Sequence, residues 1–377
     1  MDVRRHDAIE EIGAAAWDAL RPDDDPFTSY AFLHGLERHD CLRPAWGWQP
    51  HHLALYRDGR PIAAAPCYLK RNSHGEFVFD HAWAQAWQRA GHDYYPKLLC
   101  AVPYSPVPGP RLLSGGGADA DARRRLLARA LAEEGRRLGL SGVHVNFCQA
   151  SDAATLDARD GWLARHDWQF HWHHRGWRDF QDFLDALAAK KRKNIRQERA
   201  RVHGVDIAVL HGGEASEADL DAMHAFYART FLDKGNLPAL TRDFLSHLAE
   251  RLPRQLLLVL ARRRGRAVAG ALFLRSSSTL YGRYWGASED LPALHFELCY
   301  YQGIEYCLRE RLTRFEPGAQ GEHKLARGFL PVATQSRHLL FDPSFRTGVA
   351  DWLADERAWL ARYRAAMDVH SPFRGPA

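Results

Sequence analysis

Several features that would place a chain in a familiar class are missing from these 377 residues. The six cysteines are scattered without a Cys-x-x-Cys pair, so reduced thiols are expected rather than a zinc ribbon or a disulfide framework. No apolar run approaches the roughly 18 residues of a membrane helix. The charged N-terminal segment lacks the apolar core of a signal peptide. The sequence therefore predicts a cytoplasmic protein without a membrane span.

Lysine is also scarce, with 7 lysines against 44 arginines, and the net charge is only +5. Such a mild positive excess does not by itself imply a nucleic-acid partner. The sequence contains no Gly-x-Ser-x-Gly elbow and no obvious Cys–His pair, so no covalent protein nucleophile is predicted. A hydrophobic content of 46% is enough for real cores, and the length suits two domains.

Three of the seven lysines lie in one basic block between Lys190 and Arg201. Apolar residues keep helical spacing through the block, which predicts a helix from Asp179 to about Val202. A solvated helix face and a phosphate-binding surface for a nucleotide, CoA or RNA are both consistent with this pattern. On the second interpretation, the donor-binding residues are Lys190, Lys191, Arg192, Lys193 and Arg196.

The richest mixture of polar chemistry follows a predicted strand, Leu312 to Glu316. Pro317 and two glycines break any regular element there, and acids, bases, an amide and an imidazole alternate up to Arg327. A site that binds a polar substrate and moves a proton needs such a mixture. The predicted catalytic residues are Glu316, Glu322 and His323. The predicted substrate-binding residues are Glu297, Tyr301, Gln320, Gly321, Lys324 and Arg327.

Either Glu322 or His323 is the candidate base. Histidine matches neutral pH, whereas a carboxylate needs its pKa raised by burial. On the helix predicted for 293–311, Glu297, Tyr301 and Glu305 share one face at i, i+4 and i+8. The alternative is purely structural, because ion pairs among the same acids and bases would simply fix the loop.

Two weaker motifs are interpreted structurally. The Ser-Gly-Gly-Gly run 114–117 precedes a predicted helix, 119–139, as in a phosphate-binding loop. Asp119 and Asp121 in the first turn would repel an anion, so they are predicted to cap the helix dipole instead. His171 and His173 share one face of a predicted strand, but no further ligand lies at a recognisable spacing, so no metal is predicted.

The second half of the chain repeats the pattern of the first. Apolar runs flank the turns Asp58-Gly59 and Arg264-Gly265, and further strands are predicted at 76–83 and 279–287. A short helix is predicted at 94–100. The features recur at an offset of roughly 205 positions, which indicates domain duplication. The predicted domains are 1–165 and 205–377, connected by a strand and the basic helix over 166–204.

Helix, antiparallel strands, helix, strand, helix is the element order of a GNAT-type acyltransferase domain. The chain resembles a bacterial family of predicted N-acyltransferases related to the FemAB and FemX aminoacyltransferases. The stretches that carry the likeness are HGEFVFDHAWAQAW, DYYPKLL, KKRKNIRQERARV, HFELCYYQGIEYC and FEPGAQGEHKLARGF. The resemblance implies an α/β (α+β) fold of tandem duplicated GNAT-like domains with mixed, mainly antiparallel sheets. It also implies an acyl cleft where neighbouring strands splay.

The implied activity is transfer of an acyl or aminoacyl group to an amine, of a peptidoglycan precursor or another small or peptide-like substrate. No bound cofactor is expected, and acyl-CoA or aminoacyl-tRNA is the co-substrate. The stretch Arg283 to Asp290 has one glycine and then two acids where acetyl-CoA enzymes carry a glycine-rich pyrophosphate loop, so the donor stays open between CoA and charged tRNA. The alternative is a non-catalytic GNAT-like protein that binds a muropeptide, a nucleotide or RNA.

Overall fold

A computed structural model describes residues 2–319, 321–368 and 370–374 of the chain. The chain folds into two compact units. The first unit extends to Asp167 and includes Ala333–Arg362, and the second comprises Trp168–Val332 and continues from Tyr363.

The ranges 1–165, 166–204 and 205–377 remain a prediction of the domain boundaries. From Trp168 onward, the predicted connecting segment lies in the second compact unit. The late segment Ala333–Arg362 lies in the first unit.

The described residues form fourteen strands, numbered in chain order. They are β1 (Asp2–His6), β2 (Trp48–Pro50), β3 (His52–Arg57), β4 (Arg60–Ala65), β5 (Cys67–Lys70), β6 (Lys97–Cys100), β7 (Gly142–Val145), β8 (Leu163–His173), β9 (Asp206–His211), β10 (Leu256–Arg263), β11 (Arg266–Arg275), β12 (Thr279–Ala287), β13 (Arg314–Glu316) and β14 (Leu330–Leu340).

The α-helices are numbered in the same way. They are α1 (Ala14–Asp18), α2 (Tyr30–Arg38), α3 (His81–Arg89), α4 (Ala120–Arg137), α5 (Ala150–Thr155), α6 (Phe180–Ala186), α7 (Ala189–Ala200), α8 (Glu217–Leu232), α9 (Arg242–Arg251), α10 (Leu294–Phe296), α11 (Gln302–Arg309) and α12 (Pro343–Asp368). A π-helical turn, Glu297–Tyr301, joins α10 to α11, and a 3-10 helix spans Glu322–Arg327.

In the first unit β1-β3-β4 form one sheet, and the order β2-β5-β6-β7-β14 belongs to a second sheet. Pro66 separates β4 from β5, because proline has no N–H for the ladder. From β1 to β6 the neighbours β1-β3, β3-β4 and β5-β6 are antiparallel. The pair β6-β7 is parallel and is connected through α4, and β7-β14 is again antiparallel.

The second unit has the order β9-β10-β11-β12-β13, with β8 beyond β13. Three antiparallel pairs come first, then the parallel pair β12-β13, then the antiparallel pair β13-β8. The helices α10 and α11 connect the two parallel strands, as α4 does in the first unit. In both units antiparallel strands are followed by one helix-connected parallel pair and a further antiparallel neighbour, which confirms the predicted tandem GNAT-like α/β fold.

Both predicted hairpin turns are present. Asp58 and Gly59 have φ of 50° and 75°, and Arg264 and Gly265 have φ of 52° and 77°. Positive φ at both central residues matches the right-handed twist of the flanking strands, which is why Asp-Gly is a strong hairpin signal.

Two predicted elements of the first unit are wrong. No strand forms over 76–83, where a turn precedes α3. The segment 94–100 is not helical, and its last four residues form β6. The structural counterpart of β12 is therefore β6, not 76–83. Pro96 argues against a helix at the residue before it, and the turn at 76–80 is fixed by buried ion pairs described below.

The predicted basic helix is also interrupted, between α6 and α7. Leu187 forms a bridge with Phe373, and the amide of Ala188 donates to the carbonyl of Pro372 at 2.9 Å. Backbone pairing with this late segment replaces the helical hydrogen bonds at the break, and no local sequence pattern predicts it.

Close backbone approach positions α11 in the second unit's core. A Cβ at Gly303 would lie 2.4 Å from a ring carbon of Phe315, so only glycine lets this ring of β13 pack beneath the helix. Leu298, Ile304 and Cys307 are fully buried around it.

None of the helices in the described part of the chain combines the length and the apolar character that a membrane span requires.

Candidate functional site

The predicted site lies where the parallel strands β12 and β13 part. Only three residue pairs connect them, ending at Tyr281 and Glu316, and β12 then continues to Ala287 paired with β11 but not with β13. Pro317 follows β13 and packs against Gly282, where an added Cβ would lie 3.2 Å from the Pro317 Cα. Gly318 has φ of 96°, a conformation that favours glycine. The two strands therefore diverge beyond Tyr281 and Glu316, and this point of divergence is called the gap between β12 and β13 below.

Lys324 is buried beside this gap. Its Nζ donates to the carbonyl oxygen of Gly318 at 2.7 Å. Burial lowers the pKa of the Lys324 ammonium to about 8. A buried, weakly held ammonium is suited to stabilising negative charge that develops during a reaction.

His323 is exposed beside Lys324, and its Nε2 lies 2.8 Å from the hydroxyl of Tyr300. Partial burial, together with the positive charges of Arg327 and Lys324, lowers the pKa of the His323 imidazole. The ring is therefore neutral at neutral pH and able to accept a proton. Glu322, the other candidate base, is exposed and accepts a hydrogen bond from the Tyr363 hydroxyl at 2.7 Å.

Glu316 is buried at the end of β13. Its Oε1 lies 3.0 Å from the Nε of Arg314 on the same strand. Its negative charge also acts on Arg283 of β12, whose pKa is lowered chiefly by burial. Glu316 thus lies where the strands diverge, beside Arg314 and close enough to Arg283 to act on its charge.

Arg327 belongs to a buried network. Its Nη2 lies 2.6 Å from the Oε1 of Glu198 on α7, and its Nη1 donates to the His323 carbonyl at 2.8 Å. The guanidinium stacks over Phe296 at 3.5 Å, and the Tyr301 hydroxyl bonds to both Arg327 and Glu198. These contacts fix the 3-10 helix that carries His323 and Lys324.

Glu297 and Glu305 share one partner, Arg199 of α7. The guanidinium contacts both oxygens of Glu297, at 2.9 and 3.1 Å, and the Oε1 of Glu305 at 2.6 Å. Their predicted common face therefore exists, but it faces α7. The π-turn that carries Glu297 and Tyr301 is a feature often found at functional sites.

The three lysines of α7 differ from its arginines. Arg192 pairs with Asp185 at 3.2 Å and Arg196 bonds to Gln181 at 3.1 Å. Lys190, Lys191 and Lys193 make no ion pair with any residue that the structure describes. They form the open positive end of the helix.

The structure thus brings Gly321, His323, Lys324 and Arg327 together and ties Tyr301 to them. Gln320 lies outside the described residues. Sequence reasoning missed Glu198, Arg199, Tyr300 and Arg314. Glu198 left one signal, since it is the single acid within the basic block.

His171 and His173 are neighbours, with ring centroids 6.3 Å apart, and His171 Nε2 bonds to Gln169 at 3.1 Å. Within residues 2–319, 321–368 and 370–374, no group of three or more His, Cys, Asp or Glu side chains is arranged to hold a metal ion.

Residues 8–375 match the FemAB-like family, described as peptidoglycan biosynthesis/recognition. Because the match covers nearly the whole length, the chain belongs to this family. Membership confirms the predicted class, an acyltransferase with a GNAT-related fold. No curated protein sequence matches the chain.

Solved structures share the fold at low identity. FemX is 10% identical with a TM-score of 0.54, covering 93% of this chain and all of its own. The C-terminal domain of a putative lysylphosphatidylglycerol synthetase from Agrobacterium fabrum is 13% identical with a TM-score of 0.52, over 89% of this chain and 94% of its own. A conserved protein of unknown function from Bacteroides thetaiotaomicron is 11% identical with a TM-score of 0.51, over 90% of this chain and 100% of its own.

Proposed function

We propose that the chain transfers an aminoacyl or acyl group to an amine of a peptidoglycan precursor, at the gap between β12 and β13. The observation that carries this proposal is the pairing of a buried Lys324 ammonium with a neighbouring His323 of lowered pKa, beside strands that part. A buried cation and a neutral base side by side meet the two requirements of amide formation.

The amine nitrogen attacks the activated carbonyl directly, so the new C–N bond forms while the carbonyl becomes a tetrahedral oxyanion. Lys324 stabilises the oxyanion, and His323 accepts the proton that the amine loses. Collapse breaks the C–O bond of a tRNA ester or the C–S bond of a thioester, and the leaving group recovers a proton. Glu322 is the alternative base.

The donor is proposed to carry phosphates that contact Lys190, Lys191 and Lys193. Aminoacyl-tRNA is favoured over acyl-CoA, because Glu289 and Asp290 stand where a pyrophosphate loop would need backbone donors. A charged tRNA as donor also agrees with the predicted cytoplasmic location.

The test is transfer of a labelled amino acid to a UDP-linked muropeptide, with aminoacyl-tRNA, acetyl-CoA and long-chain acyl-CoA as separate donors. The variants are Glu316→Gln, Glu322→Gln and His323→Asn, and His203→Asn is the matched control because His203 is exposed outside the loop.

At least one of the three variants should lose about a hundredfold in turnover while its melting temperature stays near that of the wild type. Full activity in all three would refute the assignment of the base. Binding of the muropeptide without transfer from any donor would favour the non-catalytic alternative.

A further inference from the structure

Exposed aromatic side chains cluster in the first compact unit. Phe77, Phe79 and Trp359 are 39%, 49% and 55% exposed, and all three line one cavity of 190 Å³. Trp352, also exposed, lies over the Arg165 guanidinium at 5.1 Å, and Arg165 lines the same cavity. Large aromatics concentrated around one cavity on a protein surface mark a binding site more often than scattered ones do.

The aromatic rim is held in place by a buried ion-pair cluster. Glu76 and Asp80, at either end of the rim segment, both contact Nζ of the buried Lys97, Glu76 at 2.9 Å. Phe77 between them has φ of 61°, which is strained for a bulky side chain. The cluster therefore turns the acids inward and Phe77 and Phe79 outward.

The floor of the cavity is polar, and its charged lining residues are Arg165, Asp167 and Glu356, so positive charge is not in excess there. Arg165 contacts both oxygens of Glu356, at 3.1 and 2.9 Å, and also donates to the Phe79 carbonyl at 2.8 Å. The neutral side chains of Thr334, Gln335 and Ser336 complete the floor. Burial lowers the pKa of His166 at the edge of the cavity, so this imidazole is neutral at neutral pH.

We propose that this cavity binds one saccharide ring of a glycan. A sugar ring offers a C–H face to Trp359 or Phe79, and its hydroxyl and amide groups match Gln335, Arg165 and Glu356. A phosphorylated ligand would need uncompensated cations, which the Arg165–Glu356 pair does not supply. The cavity is below the roughly 300–1,000 Å³ of pockets for larger ligands, so it suits a single ring.

The inference deepens the proposed function, because a peptidoglycan precursor contains both sugar and peptide. Lys97, Glu76 and Asp80 act as positioning residues for the aromatic rim, and the aromatic side chains contact the ligand. Binding is tested without any transfer reaction, so its outcome is independent of the proposed chemistry.

The probes are N,N′-diacetylchitobiose, muramyl dipeptide, and the same dipeptide without its sugar, titrated against the full chain by calorimetry. The variants are Trp359→Ala and Gln335→Ala. Leu237→Ala serves as the control, since Leu237 is an apolar side chain of the second unit that is 61% exposed. The two sugar-containing probes should bind, and each cavity variant should weaken them at least tenfold while Trp359→Phe restores most of the affinity.

Failure of both sugar probes to bind would overturn the proposal, as would equal affinity in Trp359→Ala. Binding of the sugar-free dipeptide alone would assign the cavity to peptide instead. Circular dichroism of each variant, whose substituted side chains lie at or near the surface, confirms that loss of binding is not loss of folding. Transfer that persists in Trp359→Ala with a sugar-free acceptor would leave the proposed function intact.

Discussion

Replacing Lys324 by methionine separates catalysis from stability. The side chain is 3% exposed, and burial moves the pKa of its ammonium from 10.5 to about 8. At about 1.4 kcal/mol per pKa unit, holding the charge costs the folded protein about 3 kcal/mol. Methionine has a similar length and removes that cost, but it leaves the Gly318 carbonyl without its donor, at roughly 1–3 kcal/mol.

We therefore expect the free energy of unfolding of Lys324→Met at pH 7 to stay within about 2 kcal/mol of the wild-type value. Turnover should fall by about 10²–10³, the usual effect of losing an oxyanion donor. Urea unfolding followed by tryptophan fluorescence and the labelled transfer assay measure the two quantities. Lys234→Met is the matched control, because Lys234 is exposed.

The same residue predicts a pH dependence. Between about pH 8 and the unfolded-state pKa of 10.5, the folded chain binds fewer protons at Lys324 than the unfolded chain. The contribution of Lys324 to stability is thus most unfavourable below pH 8 and is relieved as the pH rises through this window. Activity should change in the opposite direction and fall above pH 8, as the ammonium is lost.

Two results would contradict this reasoning about Lys324. The first is turnover in Lys324→Met within threefold of wild type. The second is a loss of more than about 3 kcal/mol of unfolding free energy together with activity, because that would identify a structural lysine.

Three further outcomes are expected. Tyr300→Phe should keep His323 as a base but shift the acidic limb of the pH–rate profile, whereas an unchanged profile would remove their hydrogen bond from the mechanism. Arg199→Leu should cost about 3–5 kcal/mol of unfolding free energy because it leaves the buried Glu297 without a cation, and a double variant that adds Glu297→Gln should recover part of the loss. Lys193→Glu should weaken tRNA binding in a salt-dependent manner, measured by filter binding at two ionic strengths, and equal binding at low salt would make α7 an ordinary solvated helix.

Local patterns predicted much of the second unit correctly. The turn Arg264-Gly265 and the strand 279–287 follow from turn chemistry and from apolar patterning, which act within a few residues. The polar loop after β13 was recognised for the same reason, since its glycines and its mixed side chains are adjacent in the chain. The family likeness rests on these same stretches.

The errors lie where distant residues override local preference. The strand predicted at 76–83 is lost because Glu76 and Asp80 bond to Lys97, a partner that no pattern within that segment indicates. The basic helix breaks at Leu187 because residues near the C-terminus pair with it.

The sequence by itself determined the fold class, the duplication and the segment that holds the candidate site, because periodicity, turn residues and motif composition are local properties. Tertiary structure alone decided which charges are compensated. It joined Arg327 to Glu198 and Glu297 to Arg199, and it left Lys324 buried against a carbonyl. Burial and pairing depend on elements far apart in the chain, and they decide whether a charged side chain serves stability or chemistry.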